Sequence, residues 1–191
     1  RLSVSVYRKQ KRGGKGVTAM ETREEDFVKH LFVASTKDYL LVFTNKGKAY
    51  WLKVYEIPET GRSAKGKAIV NLLSLASDEA VSSVVAVKEF SEDKFLIMCT
   101  KKGVTKKTRL SEFSNPRKAG VIAVTLDKDD ALVGAEISEG KYHILLASRQ
   151  GKSIRFKEEQ VRDMGRSAKG VTGFRIDKKD EVIGMEVFTP E

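Results

Sequence analysis

The densest chemistry in the sequence is a basic stretch that runs into glycines, Tyr7-Arg8-Lys9-Gln10-Lys11-Arg12-Gly13-Gly14-Lys15-Gly16. Five of these ten residues are Lys or Arg. Ammonium and guanidinium groups neutralise phosphates and release the counterions condensed on a nucleic acid. Glycines let the backbone approach a phosphate closely, and successive N–H groups can form an anion-binding nest. Gln10 adds a neutral donor and acceptor. The same composition also suits a solvated basic turn ahead of a strand, so the stretch taken alone leaves both readings open.

Its chemistry recurs. Gly13-Gly14-Lys15-Gly16 is followed by Gly61-Arg62-Ser63-Ala64-Lys65-Gly66, with Lys67 next, by Arg117-Lys118-Ala119-Gly120, and by Gly165-Arg166-Ser167-Ala168-Lys169-Gly170. The closing glycines stand 50, 54 and 50 residues apart, and two copies share the letters GRSAKG. Any one phrase reads as a surface loop. Their common phase points to one basic loop per structural unit, a track for the backbone of bent duplex with little reading of base sequence. The candidate DNA contacts are therefore Gln10, Lys11, Arg12, Gly13, Gly14, Lys15, Gly16, Arg62, Lys65, Lys67, Arg117, Lys118, Arg166 and Lys169.

Catalytic patterns are missing. No phosphate-binding loop of the form G-x-x-x-x-G-K-[ST] and no dinucleotide fingerprint occurs. His30 and His143 lie singly in strand-like runs, without the Cys or His partners of a metal or acid–base site. No serine has a nucleophile-elbow setting. The acidic clusters lack the ligand spacing of a calcium loop and read as solvated turns. The expectation is a chain with no catalytic residues, no metal site and no cofactor of its own.

The elements that must position the basic phrases follow the same period. About ten residues after each closing glycine comes an acidic turn, Glu24-Glu25-Asp26, Asp78-Glu79, Asp127-Lys128-Asp129-Asp130 and Asp177-Lys178-Lys179-Asp180. Strand-like runs follow at Phe27 to Ala34, Val81 to Val87, Ala131 to Ile137 and Glu181 to Phe188. Second apolar runs, Tyr39 to Phe43, Phe95 to Cys99 and Tyr142 to Ala147, lead into tight turns at Gly47, Gly103 and Gly151, suited to hairpins that need positive φ. A basic alternating strand comes next, as in Lys48 to Tyr55. Leu72 to Ala80 is the best helical stretch, but it fits a strand and turn equally. Four short strands per unit of ~50 residues predict an all-β, propeller-like set of antiparallel blades. Repeat units run approximately over 17–66, 67–120 and 121–170, with partial units 1–16 and 171–191, all within one domain, and no interdomain linker is marked.

Composition agrees. The chain has 191 residues, 36 Lys and Arg against 26 Asp and Glu, and a net charge of +10, which favours a polyanionic partner. The single cysteine, Cys99, excludes an internal disulfide framework and fits a reducing cytosol; it and Trp51 are expected to be buried. No apolar run approaches the ~18 residues of a membrane span, and no signal-peptide core opens the chain. The start, Arg1 to Tyr7, reads as mid-strand, so a longer parent protein is expected.

Gln10-Lys11-Arg12-Gly13-Gly14-Lys15-Gly16 resembles the seven-residue box of the C-terminal domain of bacterial DNA gyrase A proteins. Glu25-Asp26-Phe27, Tyr50 to Tyr55 and the GRSAKG phrases resemble that family too, and the likeness covers essentially the whole chain. It implies a six-bladed β-pinwheel, seen here as an incomplete set, that wraps double-stranded DNA around a basic rim, with the box essential for wrapping. The wrap presents a positively handed crossing, so that strand passage introduces negative supercoils. It also implies a cytoplasmic, nucleoid-associated parent, an ATP-hydrolysing type II topoisomerase, in which the domain works beside the catalytic core and the gyrase B chains of an A2B2 complex. ATP and Mg2+ would be used elsewhere in that parent, no membrane would be involved, and the isolated domain would be monomeric. Two other readings stand beside this one. A propeller-like protein-interaction scaffold fits the period, although the Gly-Gly pair occurs once and no Trp-Asp signature is present. The homologous wing of topoisomerase IV is disfavoured by the intact box.

Overall fold

The apolar runs that precede each glycine turn become the central strands of three blades. In the computed structural model, which describes residues 1–7, 9–16, 18, 20–22, 27, 28, 30–61 and 64–189, these are β1 (Tyr39–Thr44), β4 (Phe95–Thr100) and β8 (His143–Ser148). Each hairpins onto the basic strand after it, β2 (Lys48–Lys53), β5 (Val104–Arg109) and β9 (Ser153–Lys157). The turns are closed by Gly47, Gly103 and Gly151, all at positive φ of 73–81°. On its other side each central strand pairs with β3 (Val81–Val87), β7 (Leu132–Ser138) or β11 (Val182–Phe188). Each of these strand pairings is antiparallel, and the central strand is bulged at its last residues against that third strand, or the third strand at Val182/Gly184 in the last blade.

The fourth strand of a sheet comes from further along the chain. Val121–Ile122 (β6) adds to β2, giving the order β3-β1-β2-β6, and Val171–Thr172 (β10) adds to β5, giving β7-β4-β5-β10. The last sheet is β11-β8-β9. β3 packs against β7 and β7 against β11, so the third strands line the inside of the row of blades. β6 and β10 therefore lie on outer edges. This strand exchange ties each blade to the unit after it.

Leu41, Phe43, Leu96, Met98, Phe113 and Leu132 fill the space between the first two blades. Ile97, Cys99, Ile144, Leu146, Phe174 and Val182 fill the space between the second and third. The opposite faces of β1 and β4 are also buried, because successive side chains alternate between two cores. That is why these strands read as unbroken apolar runs. Cys99 is fully buried, as expected, and Trp51 is partly buried with its indole N–H donating to the carbonyl of Phe113 at 2.8 Å.

Several expectations change. The described residues of 27–34 join no strand, since no described strand lies alongside to pair with them, and Phe27, Leu31 and Val33 are exposed. The strand from Lys48 stops at Lys53, where Val54–Glu56 turns as a 3-10 helix and Glu56 accepts from the Lys53 amide at 3.3 Å. Leu72 to Ala80 holds bends and turns after a 3-10 turn at Ile69–Asn71. Glu24-Glu25-Asp26 lies outside the described residues. The later acidic turns are not simply solvated, for Glu79 and Asp180 are buried. Asp130 and Asp180 accept the amides of Lys102 and Gln150 at 3.1 Å, clasping the tip of the neighbouring hairpin, and Glu79 accepts the hydroxyls of Thr44 and Tyr50 at 2.6 and 3.0 Å. The Glu79 and Asp180 carboxyls are held below their usual range: at Glu79 burial acts the other way but is outweighed by hydrogen bonds from Thr44, the Ala76 amide and Tyr50, and at Asp180 the hydrogen bond with Ser148 leads.

Candidate nucleic-acid interface

The box and the third and fourth basic phrases are tight turns, and the described ends of the second are hydrogen-bonded in the same way. Gly14 N–H donates to the Lys11 carbonyl at 2.9 Å, Ala64 to Gly61 at 3.1 Å, Gly120 to Arg117 at 2.9 Å and Ala168 to Gly165 at 3.1 Å. Gly13, Gly66, Gly120 and Gly170 take positive φ. At Gly120 and Gly170 close packing adds a second requirement. A Cβ on Gly120 would sit 2.8 Å from the Tyr50 ring, and one on Gly170 would sit 2.7 Å from the Thr105 carbonyl oxygen. The third and fourth phrases feed directly into β6 and β10, so they run along the outer edges of the first and second sheets.

Segments on either side of the box meet the second phrase and the stretch before it. Arg1 lies against the stretch before the second phrase, its backbone nitrogen donating to the Pro58 carbonyl at 2.9 Å and its Nε to the Ile57 carbonyl at 2.8 Å. On the far side of the box, the terminal methyl of Met20 lies 3.6 Å from where a Gly66 side chain would begin. Residues 9–16 are exposed throughout, and the Gln10 side chain folds back to within 2.6 Å of the position a Gly14 Cβ would take. Arg62 lies outside the described residues.

The cations divide into two classes. Lys11, Arg12, Lys15, Lys65, Lys67, Arg117 and Lys118 are exposed and form no ion pair among the described residues. Lys169 is paired with Asp127 at 2.5 Å, and Arg166 lies 3.9 Å from Glu112 and is partly buried. The Lys169 ammonium holds the Asp127 carboxyl below its usual range.

Two lysines that sequence reasoning passed over lie inside the blades. Lys107 makes a buried ion pair with Glu158 at 3.0 Å, and Glu158 also accepts from Ser138 Oγ at 2.7 Å. Lys106 is fully buried, with Nζ donating to the carbonyls of Ala123, at 2.7 Å, and Arg166. Both stand in the run Val104-Thr105-Lys106-Lys107-Thr108-Arg109, whose polarity gives no sign of burial. His143 lies in β8 with its ring 6.0 Å from that of Phe188; His30 belongs to no strand.

The family described as DNA gyrase C-terminal domain, beta-propeller, matches the chain at residues 1–35, 38–88, 94–139 and 142–189. The DNA gyrase A protein of Clostridium acetobutylicum is 49% identical over 173 residues, 91% of this chain and 21% of the relative. The chain thus spans about a fifth of that relative's length. Among solved structures, a DNA gyrase A C-terminal domain superposes with a TM-score of 0.76 at 26% identity, over 97% of this chain and 59% of the other. The C-terminal domain of a DNA topoisomerase IV superposes with a TM-score of 0.74 at 28% identity, over 81% of this chain and 48% of the other.

Proposed function

This chain belongs to the DNA gyrase C-terminal domain, β-propeller, family, and on that premise we propose that it binds duplex DNA and wraps it along the outer edges of its blades, with little dependence on sequence. What carries the reading is the recurrence of exposed basic turns in one phase, two of them entering outer-edge strands. Lys11, Arg12, Lys15, Lys65, Lys67, Arg117, Lys118, Arg166 and Lys169, with Arg62, supply charge to phosphates. Gln10 and Gly13, Gly14 and Gly16 bring backbone N–H groups close to one of them. Residues 1–191 are part of a single β-pinwheel domain in which the third and fourth phrases lead into short strands that join the sheets of earlier hairpins. The domain serves a bacterial, cytoplasmic gyrase, in which the wrapped segment is delivered to the catalytic core and the gyrase B chains of an A2B2 assembly. ATP and Mg2+ act in the other parts of that enzyme.

The role in supercoiling follows from geometry. Bending 20–30 base pairs by 40–90° costs on the order of 1–6 kcal/mol, which contacts made only to bent DNA must offset. Turns spaced one per blade provide such contacts in sequence along a curved edge. The test is topological. Relaxed plasmid is incubated with the chain, relaxed again by a nicking-closing enzyme and resolved by electrophoresis; a shift in linking number is expected. Binding to linear duplex should weaken steeply with salt, with a log–log slope of about −5 to −9 for ~6–10 phosphates. An unchanged linking number together with a slope near −1 would reject wrapping in favour of a protein-interaction scaffold.

A further inference from the structure

The hairpin registers place three residues at one position of successive blades. Lys53, Arg109 and Lys157 face Tyr39, Phe95 and His143, so Tyr50, Lys106 and Ile154 are equivalent. Tyr50 ends on a carboxylate, its hydroxyl donating to Glu79. Ile154 is exposed and apolar. Lys106 is a fully buried cation with no carboxylate in ion-pair range among the described residues. Burying an ammonium without an anion is costly. The position tolerates residues that avoid that cost, so the contacts of Lys106 are where its purpose lies.

Those contacts fall on one rim phrase. Lys106 Nζ donates to the Arg166 carbonyl and also to that of Ala123, just past β6. Beside it, Thr125 Oγ1 donates to the Ser167 carbonyl at 2.7 Å and the Thr125 amide to the Ala168 carbonyl at 3.3 Å. Three successive carbonyls of the phrase are thus bonded from beneath. In a trans peptide the C=O and N–H point opposite ways. The amide of Ser167 therefore points away from the Lys106 ammonium, and that of Lys169 away from the Thr125 amide. Gly170, at the end of the phrase, lies against Lys106 itself, with 3.2 Å between the two Cβ positions.

We propose that Lys106 is the positioning residue of the rim phrase Gly165–Gly170, a buried cation that holds its backbone so that Arg166, Lys169 and the amides of Ser167 and Lys169 face one phosphate group of the bound duplex. The proposal rests on the duplex-binding reading above. A phosphate there meets a positive centre below the loop as well as the side chains around it. The ammonium feels burial first and then the nearby Arg166, which together push its pKa down to about 8, while Glu112 acts in the opposite direction. An anion drawn to Arg166 relieves that repulsion, so binding and the charged state of Lys106 favour each other.

Lys106→Met keeps the length and apolar stem and removes the charge and the donors. In the DNA-free chain, the backbone amides of 165–170 should gain fast motion by heteronuclear NMR relaxation, while those of β4 and β5 stay rigid. Unchanged order in that loop would overturn the positioning role, whatever the DNA measurements give. With a linear duplex, affinity at fixed salt should fall about tenfold and the salt slope should become shallower by ~1, for the one phosphate that Arg166 and Lys169 face. The same change made in an Arg166→Ala, Lys169→Ala background should then have a clearly smaller effect, since only the two amides and the buried charge remain to be lost. An effect that persists undiminished in that background would mean a general loss of structure, and would overturn the proposal. A parent chain that fails to bind duplex at all would instead remove the duplex-binding reading, leaving the relaxation result to decide whether Lys106 sets the loop.

Discussion

At the residue scale, a basic side chain on this rim is worth what its neighbours leave free. Lys11, Arg12 and Lys15 carry charge with no carboxylate in ion-pair range among the described residues, whereas Lys169 already lies against Asp127. On the duplex-binding reading proposed above, DNA would have to displace that partner before it gained the lysine. Replacing Lys11, Arg12 and Lys15 together with Ala should shrink the salt slope by roughly three units and leave measurable binding to short linear duplex. Curvature should suffer more, because contacts available only to bent DNA offset the bending cost. Plasmid linking number in the relaxation assay is expected to return to that of free DNA. A triple variant that still shifts linking number would separate the box from wrapping.

At the element scale, the third and fourth phrases depend on closing glycines that sit where a side chain does not fit. Gly170 has φ of 105° and lies over the Thr105 carbonyl, while Gly165, five residues earlier, has open space around it and no positive φ. Gly170→Ala should destabilise the fold by about 2 kcal/mol or more, from the disfavoured backbone and the collision together. Gly165→Ala should change stability by less than ~0.5 kcal/mol. Urea unfolding midpoints, followed by far-UV circular dichroism, compare the two. The contacts between blades offer a second test. Glu158 stands where the two preceding blades have Val54 and Leu110, immediately after the equivalent Lys53 and Arg109, and it is buried against Lys107. Glu158→Leu alone strands a buried ammonium and should cost about 3–5 kcal/mol. Adding Lys107→Met should recover most of the loss, since well-packed apolar residues replace a buried pair at little net cost. A double variant no more stable than the single would show that the site needs the ion pair.

Across the whole molecule, the inner strands carry like charges toward one another. Glu136 on β7 is half-buried near Glu186 of β11, and burial first, then that neighbouring carboxylate, pushes its pKa up to about 7 from 4.5. The Val187 amide, donating to Glu136 at 3.1 Å, acts in the opposite direction. The folded chain therefore holds a proton between about pH 4.5 and 7 that the unfolded chain releases, and stability falls as pH rises through that window. Glu136→Gln removes the titrating group. The variant should match the parent below about pH 4.5 and exceed it above about pH 7 by on the order of 2 kcal/mol. Denaturant melts on either side of that window and within it measure this, and parallel pH profiles for parent and variant would exclude Glu136 as the cause.

The blade period, the hairpins and the basic phrases were legible before any fold was known, because they rest on local chemistry. Gly47, Gly103 and Gly151 announce turns that need positive φ, and the runs Tyr39 to Phe43 and Phe95 to Cys99 announce strands with two buried faces. What lies between blades depends on which segments meet, and no local pattern records that. The described residues of 27–34 form no strand, since a strand needs a pairing neighbour that its own residues do not specify. The two-residue strands β6 and β10 are too short to leave a periodic signal, yet they put the third and fourth phrases on outer edges. Lys106 and Lys107 stand in a polar run that carries no sign of burial, and only the packing of Ala123, Arg166 and Glu158 around them makes them buried. Burial is a property of what comes to lie on top of a residue, and over Lys106 the covering carbonyls arrive from 17 and 60 residues further along the chain.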